Sequence, residues 1–389
     1  MNSQTTCLGH KHKVICVVGA RPNFIKAAPV IDSLRRYADM HVMLVHTGQH
    51  YDHQMSTLFF NDLGMPKPDV DLQVGSGSHG EQTGQIMMKI EPLMKSERPD
   101  LVIVFGDVNS TIAAALCAAK LGIQVAHVEA GLRSFDRTMP EELNRILTDN
   151  LSDFLFTTEQ GAKKNLICEG IAEEKMHFVG NVMVDTLLKH RTRAAALNMS
   201  QKLGMQRGTY GLLTLHRPSN VDDEHTLSEI LEAIDEISKQ LTIIFPCHPR
   251  TRQRLSNGKF AHLLSVEQPG RPQARLVVLD PLGYLEFLSL MSDARLVMTD
   301  SGGIQEETTV LGVPCLTLRH NTERPVTVEQ GTNVLVGNSG NQIVAAAEKA
   351  LNGIAQQGRV PDLWDGKASE RIAKILHDHL SSHHADARP

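Results

Sequence analysis

Short runs of apolar, mostly β-branched residues alternate with longer segments of helical periodicity along the first half of the chain. The apolar runs lie at 14–19, 41–48, 101–106 and 124–130. Helical patterns follow two of them, at about 22–37 and 110–121. Continuous apolar runs of this length are typical of parallel strands buried on both faces, and parallel strands need crossover helices between them. The pattern predicts a doubly wound α/β sheet.

The same alternation recurs in the second half. Its apolar runs lie at 211–216, 242–248, 276–280, 295–300 and 315–319. The segment 186–209 between the two series carries Lys, Arg and Ala without a strand pattern, so we expect a hinge near 181–186 followed by a linking helix. Two doubly wound, Rossmann-like lobes are therefore predicted. Because the carboxyl ends of parallel strands line the ligand site, the lobes should face each other across a cleft.

The predicted boundaries follow from these patterns. Residues 1–12 are polar and are expected to form a flexible tail, whereas 13–185 and 186–365 form the N-terminal and C-terminal Rossmann-like domains. Residues 366–380 are predicted to form a helix that packs back onto the N-terminal domain, because apolar residues recur there at helical spacing. Residues 381–389 are expected to form a second tail.

The composition is that of a folded protein in a reducing compartment. The 389 residues include 39 Lys and Arg against 44 Asp and Glu, a formal net charge of -5, so the chain has no basic field to hold nucleic acid. The six cysteines are isolated from one another, and no apolar stretch suits a signal peptide or a membrane span. We expect a cytoplasmic protein without a nucleic-acid or membrane partner.

Two strand-to-helix junctions have the features of anion-binding loops. The first strand ends at Gly19, and the following helix brings the cations Arg21 and Lys26 close to its positively polarised N-terminus. Two solvated cations at a helix start would give the same pattern. The dinucleotide fingerprint G-x-G-x-x-G is absent from the strand ends, so no dinucleotide cofactor is expected.

The second junction is richer in glycine. A strand leads into Ser301, Gly302 and Gly303, and a helix that carries Glu306 and Glu307 follows. Backbone N–H groups of such a turn can approach a phosphate closely, and an acid one turn into the helix can bind ribose hydroxyls. The junction is interpreted as a nucleoside diphosphate site, with a Gly-Gly turn of purely architectural purpose as the alternative.

Acidic residues end several strands of the first lobe. Asp107 follows one apolar run and Glu129 lies at the end of another. Glu141 and Glu142 begin a helix, and Arg145 follows within a turn. Burial at a strand end raises the pKa of a carboxyl group toward values that suit acid–base catalysis. These acids are therefore candidate catalytic groups.

Each acid also has a structural interpretation. Asp107 could cap the helix that follows it. Glu129 could be a buried partner of Arg133 or Arg145. Glu142 is expected to be a surface acid. Position along the sequence does not separate catalysis from scaffolding for these residues.

Histidines and a cation occur at strand ends of the second lobe. His216 and His248 end successive apolar runs, where they could donate to a phosphate, move a proton or merely cap loops. Arg324 lies in a later strand loop. No histidine or cysteine spacing matches a metal site, so no metal is predicted. Together these features favour an enzyme that binds a nucleoside diphosphate attached to a sugar.

Several long motifs occur in order along the chain: GARPNFIK, GDVNST, HVEAGLRSFDRTMPEELNR, LHRPSN, TDSGGIQEE and TERP. By these motifs, over about 13–380, the chain resembles the non-hydrolysing UDP-N-acetylglucosamine 2-epimerases. The resemblance implies a two-lobed fold like that of the GT-B glycosyltransferases and a homodimer. It also implies reversible, cofactor-free conversion of UDP-N-acetylglucosamine into UDP-N-acetylmannosamine for surface polysaccharides, by elimination of UDP to 2-acetamidoglucal and re-addition.

The same resemblance assigns roles by position. The implied catalytic residues are Asp107, Glu129, Glu141 and His216. The implied substrate-binding residues are Arg21, Lys26, Arg145, Phe287, Ser301, Gly302, Gly303, Glu307 and Arg324. In this assignment the N-terminal domain holds the sugar and the catalytic carboxylates, and the C-terminal domain binds UDP.

Regulated bacterial members of the family bind a second UDP-N-acetylglucosamine beside the active site. Gln49, Arg217 and His248 match parts of that second site. Asp52, however, stands where Gln is usual, and the segment 75–83 lacks the expected Arg. The sequence therefore leaves allosteric activation open.

Three other functions are compatible with parts of the pattern. A retaining glycosyltransferase of the same fold would share the phosphate loop but would need an acceptor groove. An epimerase for a UDP-diacetamido uronic acid is the alternative within the family, although relatives with that substrate tend to carry Asn where Leu132 stands. A nucleotide-sugar sensor would bind UDP without turnover.

Overall fold

The chain forms two compact units, each with its own parallel sheet. The computed structural model describes residues 12–49, 62–247, 251–252, 275–354 and 358–386. Unit 1 comprises Met1–Thr186 and Asp365–Pro389, and unit 2 comprises Leu187–Trp364. The predicted fold class, two doubly wound parallel α/β sheets, is confirmed.

The sheet of unit 1 is built from strands that are all parallel to their neighbours. The strands are β1 (His12–Val18), β2 (Met40–His46), β3 (Val70–Asp71), β4 (Leu101–Phe105), β5 (Gln124–Ala130), β6 (Phe154–Thr157) and β7 (Met176–Phe178). In the described residues they form a seven-stranded sheet of order β3-β2-β1-β4-β5-β6-β7. The helices up to the unit boundary are α1 (Arg21–Leu34), α2 (His79–Glu97), α3 (Asn109–Lys120), α4 (Pro140–Leu151), α5 (Gln160–Cys168) and α6 (Val182–Ala196).

The sheet of unit 2 is also parallel throughout. Its strands are β8 (Tyr210–Thr214), β9 (Thr242–Pro246), β10 (Leu276–Leu279), β11 (Leu296–Thr299), β12 (Cys315–Thr317) and β13 (Asn333–Leu335). The part of unit 2 that is described forms a six-stranded sheet of order β10-β9-β8-β11-β12-β13. Its helices are α7 (Met199–Lys202), α8 (Pro218–Val221), α9 (Glu224–Ser238), α10 (Tyr284–Asp293), α11 (Gly302–Leu311), α12 (Pro325–Glu329) and α13 (Gly340–Leu351).

The strands are apolar because both faces of each sheet are covered. Every residue of β4 is buried, as is most of β1. In unit 1, Ile15 and Val102 of the sheet pack into one cluster with Ile90 of α2 and Ala114 of α3. Burial of such side chains contributes about 25 cal/mol per Å² of apolar surface removed from water, and this burial is the main stabilising term of each unit.

Each sheet has a switch point where the strand order reverses. In unit 1 the chain runs outward from β1 to β3 and then returns to pair β4 with the other side of β1. In unit 2 the equivalent point lies between β8 and β11. Doubly wound sheets bind ligands in the crevice beyond the carboxyl ends of the strands at this point. The loops after β1, β4, β8 and β11 are therefore the places to look for a site.

Several predicted boundaries need correction. Strand β1 begins at His12, which was assigned to the N-terminal tail. Helix α6 begins at Val182, so most of the predicted hinge over 181–186 is helical. The strands β3, β6, β7 and β13 were not predicted, and each of them has only two to four residues.

The last helix, α14 (Ala368–Asp386), packs against α1 within unit 1. Ser369 Oγ lies 3.2 Å from Ser33 Oγ, and Arg36 donates to Glu370 at 3.0 Å. The helix continues to Asp386, so the predicted tail over 381–389 begins too early. Among the described residues, no helix combines the length and apolarity needed to span a bilayer.

Candidate active site

The loop after β1 is held by Asn23, which the sequence motifs did not single out. Gly19 and Ala20 donate their N–H groups to Asn23 Oδ1 at 3.1 Å, and Asn23 Nδ2 donates to the Phe105 carbonyl at the end of β4 at 2.8 Å. A Cβ on Gly19 would lie 2.0 Å from Ser110 Oγ, so only glycine fits there. The carboxyl ends of β1 and β4 are thereby joined at the switch point.

Lys26 of α1 forms a buried ion pair with Glu129 at the end of β5. Lys26 Nζ lies 2.7 Å from Glu129 Oε1, and the two side chains are 5% and 2% exposed. A Cβ on Gly106 would come within 2.8 Å of that ammonium group, and Gly106 has a φ of 62° that favours glycine. Lys26 is therefore not a solvated cation. Glu129 is a buried partner of a cation, as its structural interpretation expected, and the cation 2.7 Å from it is Lys26.

The backbone at Glu129 is strained. Its φ is 77°, in the left-handed region that non-glycine residues rarely adopt. The register between β5 and β6 shifts between Val128 and Ala130, so a bulge surrounds the same residue. A conformation of this kind costs about 1–3 kcal/mol and persists where neighbouring contacts enforce it, most often at functional sites. The strain marks Glu129 as a candidate functional residue.

Arg145, buried on α4, is held between two carboxylates. Its Nη1 donates to Asp107, and its Nε and Nη2 donate to Glu142 Oε2 at 3.0 and 2.6 Å. Glu142 also accepts the N–H groups of Ser134 and Phe135 at 3.0 and 2.8 Å. Burial by itself raises the pKa of Glu142, but these hydrogen bonds outweigh it and lower the pKa below its usual value. Both carboxylate contacts of Arg145 are therefore fixed.

This arrangement corrects two interpretations of the acids. Glu142, expected at the surface, is 1% exposed. Asp107 does not cap α3, since the cap residue is Val108 and no side chain bonds there. The side chain of Glu141 is partly buried and makes no hydrogen bond or ion pair with the described residues. Arg21 is the first residue of α1 and is also partly buried.

In unit 2, the buried carboxylate of Asp300 at the end of β11 organises the loop after β8. It accepts the N–H groups of His216 and Arg217 at 3.0 and 2.9 Å and the amide of Asn220 at 3.2 Å. His216 Nδ1 lies 2.6 Å from the same carboxylate, while 58% of the His216 side chain is exposed. Burial raises the pKa of Asp300, but the contacts with His216 outweigh it and lower the pKa. Asp300 thus orients an accessible imidazole.

The glycine-rich turn begins α11, with Ser301 as the cap residue. A Cβ on Gly302 would lie 2.5 Å from Arg324 Nη1 and 2.6 Å from Glu323 Oε1, so the turn packs closely on these two side chains. Arg324 is held by Glu323 at 2.5 Å and by Glu306 at 2.9 Å. Its guanidinium is therefore fixed directly beside the turn, rather than being an isolated loop cation.

Glu307 of α11 is buried and contacts α10. Its Oε1 accepts the Tyr284 hydroxyl at 2.9 Å. Burial raises the pKa of Glu307 to about 7, although the Tyr284 hydroxyl opposes the shift. Gly303 lies in the first turn of the same helix, and Phe287 is partly buried on α10. The residues predicted to bind the nucleotide thus lie on two helices in direct contact.

The residues matched to a second binding site belong to both units, and part of the set lies outside the described residues. Gln49 is buried in unit 1, and its Oε1 accepts the Ser110 N–H at 3.1 Å and the Ser110 hydroxyl at 2.7 Å. Arg217 belongs to unit 2 and donates from Nε to the Asp300 carbonyl at 3.1 Å. His248 and Asp52 lie outside the described residues. Gln49 therefore serves the first turn of α3 in unit 1.

Sequence reasoning missed Asn23, Asp300 and Tyr284. Asn23 had a signal, because it occupies the third position of a helix that begins with Arg-Pro, where a polar side chain bonds back to the preceding loop. Asp300 also had a signal in the sequence, because it is an acid at the end of an apolar run, the same feature that identified Asp107 as a candidate. Tyr284 had none.

The two units offer complementary chemistry. Unit 1 presents carboxylates at the ends of neighbouring strands, and cations on helices orient them. This arrangement is suited to proton transfer. Unit 2 presents a helix N-terminus, a fixed guanidinium and an oriented imidazole, an arrangement suited to a diphosphate. In the part of the chain that is described, no cluster of three or more His, Cys, Asp or Glu side chains could hold a metal ion.

Comparisons with known proteins agree over nearly the whole chain. Residues 32–377 match the family model described as UDP-N-acetylglucosamine 2-epimerase. A curated protein of that name from Methanocaldococcus jannaschii is 45% identical, with 94% of this chain and 98% of the relative covered. A crystal structure of the UDP-GlcNAc 2-epimerase of that organism in complex with UDP-GlcNAc and UDP has a TM-score of 0.85 at 44% identity, over 94% of this chain and 99% of that chain.

A relative with a different name is nearly as similar. The UDP-2,3-diacetamido-2,3-dideoxy-D-glucuronate 2-epimerase of Pseudomonas aeruginosa is 43% identical, with 94% of this chain and 99% of the relative covered. Both relatives are named as 2-epimerases of a UDP-sugar, and they differ in the sugar.

Proposed function

Because the chain belongs to the UDP-N-acetylglucosamine 2-epimerase family, we propose that it interconverts UDP-N-acetylglucosamine and UDP-N-acetylmannosamine. The chain is an enzyme of the isomerase class. The observation that carries the proposal is that Asp107 and Glu129 end neighbouring parallel strands and are oriented by Arg145 and Lys26. Two carboxylates on adjacent rigid strand ends suit two proton transfers at one sugar carbon.

The reaction requires a way to remove an inert hydrogen. The C–H bond at the second sugar carbon is not acidic, since no carbonyl group is adjacent. When the bond between the anomeric carbon and the UDP oxygen breaks, its electron pair leaves with UDP, and the oxocarbenium character of the anomeric carbon acidifies the neighbouring C–H. A carboxylate accepts the proton, and the C–H electron pair forms the double bond of 2-acetamidoglucal.

Re-addition reverses these steps with one difference. A carboxylic acid delivers a proton to the opposite face of the second carbon, while the UDP oxygen donates an electron pair to the anomeric carbon. Atoms and electrons balance, so the overall change needs no oxidant or reductant. The reaction therefore requires stabilisation of the leaving diphosphate and two acid–base groups in different places.

In unit 1 we assign the proton transfers to Asp107, Glu129 and Glu141. Arg145 and Lys26 stabilise the first two as oriented carboxylates, because each cation is buried against its acid. A buried ion pair of this kind also prevents the acid side chain from adopting another rotamer, and it therefore holds the carboxylate at a fixed distance from the sugar. Arg21, at the start of α1, is assigned to the diphosphate.

In unit 2 we assign diphosphate binding to the start of α11. The backbone N–H groups of Ser301, Gly302 and Gly303 are at the positive end of that helix, and Arg324 is fixed beside them. His216 is assigned the role of a donor to the departing phosphate, because its other ring nitrogen is held by a carboxylate.

The nucleoside is assigned to the two helices behind that loop. Glu307 would accept hydrogen bonds from the ribose hydroxyls, as acidic residues do in many doubly wound folds. Phe287, partly buried on α10, would contact uracil.

A second candidate substrate is the diacetamido uronic acid named for the relative that is 43% identical. Relatives with that substrate tend to carry Asn at the position that Leu132 occupies in this chain. We therefore favour N-acetylglucosamine. A competition assay with both sugar nucleotides gives the ratio of kcat/KM directly, and a higher value for the uronate would reverse the choice.

The decisive test is hydrogen exchange with solvent. Incubated with UDP-N-acetylglucosamine alone in heavy water, the protein should place deuterium on the second sugar carbon of both epimers, because a proton removed by a carboxylate exchanges before it returns. Mass spectrometry and NMR of the recovered sugar nucleotides measure this. A glycosyltransferase or a nucleotide-sugar sensor would give unlabelled substrate, and that result would remove the proposal.

The pH dependence of UDP binding tests the ribose assignment. Ribose hydroxyls donate to an ionised carboxylate, and burial raises the pKa of Glu307 to about 7. Below that pH, binding must first displace a proton from Glu307, so UDP affinity should rise with pH and level off above it. In Glu307→Gln this rise should vanish. Calorimetric titration with UDP between about pH 6 and pH 8 measures the affinity of wild type and of Glu307→Gln at each pH. Because UDP ionises identically in both titrations, the difference between the two affinities reports only on Glu307. Equal pH profiles would contradict the assignment.

A further inference from the structure

His127 lies within β5, between two hydrogen-bond acceptors. Its Nδ1 is 2.6 Å from Oδ1 of Asp149 on α4, and its Nε2 is 2.8 Å from the carbonyl oxygen of Gly106. Both side chains are fully buried. None of the roles assigned above uses this pair, although it lies between the ends of the two strands that carry the candidate acids.

The other contacts of Asp149 decide where the proton resides. Its Oδ2 accepts the Gly131 N–H at 3.0 Å and lies 2.7 Å from Arg133 Nη2. Burial by itself raises the pKa of Asp149, but His127 and Arg133 outweigh it and lower the pKa. Because Oδ2 faces an N–H group and a guanidinium, which are both donors, we take Asp149 as the ionised acceptor of the pair. With a carboxylate on one side and a carbonyl on the other, His127 satisfies both partners only as a doubly protonated imidazolium.

The His127–Asp149 pair forms a hydrogen bond with the backbone next to each candidate acid. The imidazole Nε2 binds the carbonyl of Gly106, which precedes Asp107, and Asp149 binds the N–H of Gly131, which follows Glu129 closely. Gly106, Glu129 and Gly131 have φ angles of 62°, 77° and 78°. Glycine adopts this region without strain, whereas Glu129 does not, and the pair binds the backbone one residue before Asp107 and two residues after Glu129.

We propose that the His127–Asp149 pair, held as imidazolium and carboxylate, is the positioning device that sets the geometry of Asp107 and Glu129. The inference rests on the proposed function, since it takes these two acids as the proton-transfer groups. The same pair affects both acids because His127 binds the carbonyl of Gly106, next to Asp107, and Asp149 binds the N–H of Gly131, close to Glu129. A change in the pair therefore displaces both carboxylates together.

The charge of the pair is balanced by a short chain of ions that leads to the surface. Arg133 lies beside Asp149 and also forms two hydrogen bonds of 2.7 Å with Glu169, whose side chain is 27% exposed. Positive and negative groups alternate along this chain. A buried imidazolium is stable there because its nearest neighbours are oxygen acceptors and a paired carboxylate.

The protonation state can be measured without reference to activity. The ring nitrogens of His127, assigned by correlation from its backbone amide in the wild-type chain, are observed by 15N NMR at about pH 8, where an ordinary histidine is neutral. We expect two protonated ring nitrogens. A ring with one unprotonated nitrogen would overturn the proposed state of the pair.

Two substitutions separate the two hydrogen bonds. The amide nitrogen in His127→Gln reaches the position of Nε2 and keeps the bond to Gly106, whereas that in His127→Asn lies near Nδ1 and keeps the bond to Asp149. We expect each variant to lower kcat by about 10²-fold with KM within about threefold of wild type, because a displacement of about 1 Å of a catalytic group has an effect of this size.

Glu169→Gln is the matched control. It removes a charge from the exposed end of the same chain of ions without touching either glycine turn, so kcat should stay within about twofold of wild type. If folded His127 variants keep more than half of the wild-type kcat, the inference is wrong. If the wild-type chain does not epimerise the substrate at all, the proposed function fails instead, and the NMR measurement still decides the state of the pair.

Discussion

Asp107→Asn and Glu129→Gln are each expected to lower kcat by roughly 10²–10⁴-fold, the range for loss of one acid–base group. Each substitution replaces a carboxylate with an amide of the same shape that cannot take up a proton near neutral pH. UDP affinity should stay within about twofold of wild type, because neither acid is among the residues assigned to the nucleotide. Steady-state kinetics with UDP-N-acetylglucosamine measures the first effect, and calorimetry with UDP measures the second.

The two variants differ in what else they remove. The side chain of Asp107 is 22% exposed, so the new amide can still be hydrated. Glu129→Gln leaves the buried Lys26 ammonium beside a neutral group, which also destabilises the fold. Asp107→Asn is therefore the cleaner test. Wild-type activity in a variant would remove its residue from the mechanism, and a loss of UDP affinity at unchanged kcat would reassign it to nucleotide binding.

Glu142→Ala is expected to lower the free energy of unfolding by roughly 3–5 kcal/mol, the effect of removing one member of a buried ion pair. The substitution leaves the buried Arg145 with one fewer carboxylate and leaves the N–H groups of Ser134 and Phe135 without their acceptor. Glu142→Gln, which keeps one acceptor oxygen, should have a smaller effect. Urea unfolding followed by circular dichroism measures the total, and hydrogen exchange of α4 amides localises it.

Glu141→Ala is the control for this prediction. Glu141 precedes Glu142 in the chain, but its side chain makes no hydrogen bond or ion pair with the described residues, so removing that side chain should change stability by less than about 0.5 kcal/mol. Its activity should nevertheless fall, because Glu141 is assigned to proton transfer. Equal stability of Glu141→Ala and Glu142→Ala would contradict the distinction between a catalytic and a structural acid.

The apolar pattern was sufficient to predict the architecture. Strand β4, for example, is buried at every position and contains only apolar residues, which is the pattern that a strand covered on both faces requires. Acids and glycines that end these runs had to lie at one edge of each sheet, because parallel strands all end on the same side. This is why Asp107, Glu129 and the Ser301 turn could be chosen as candidates.

Helix α4 shows why the rest could not be predicted. Its buried face is polar, whereas its apolar Leu143 and Leu147 are 38% and 53% exposed. The buried residues of this helix are Glu142, Arg145, Thr148 and Asp149. Hydrophobic periodicity therefore predicts the wrong inner face. Charge complementarity with groups on β5 and after β4 stabilises the burial, and no apolar pattern records it.

The sequence by itself determined two doubly wound sheets and which residues end their strands. Only the tertiary structure decided that Lys26 faces Glu129, that Arg145 joins Asp107 to Glu142, and that Asp300 orients His216. The reason is physical. An ion pair forms where two charges come within about 4 Å. In this chain the distances from Lys26 to Glu129, from Arg145 to Asp107 and from Asp300 to His216 are set by the packing of elements far apart in sequence, and residue type and spacing do not encode them.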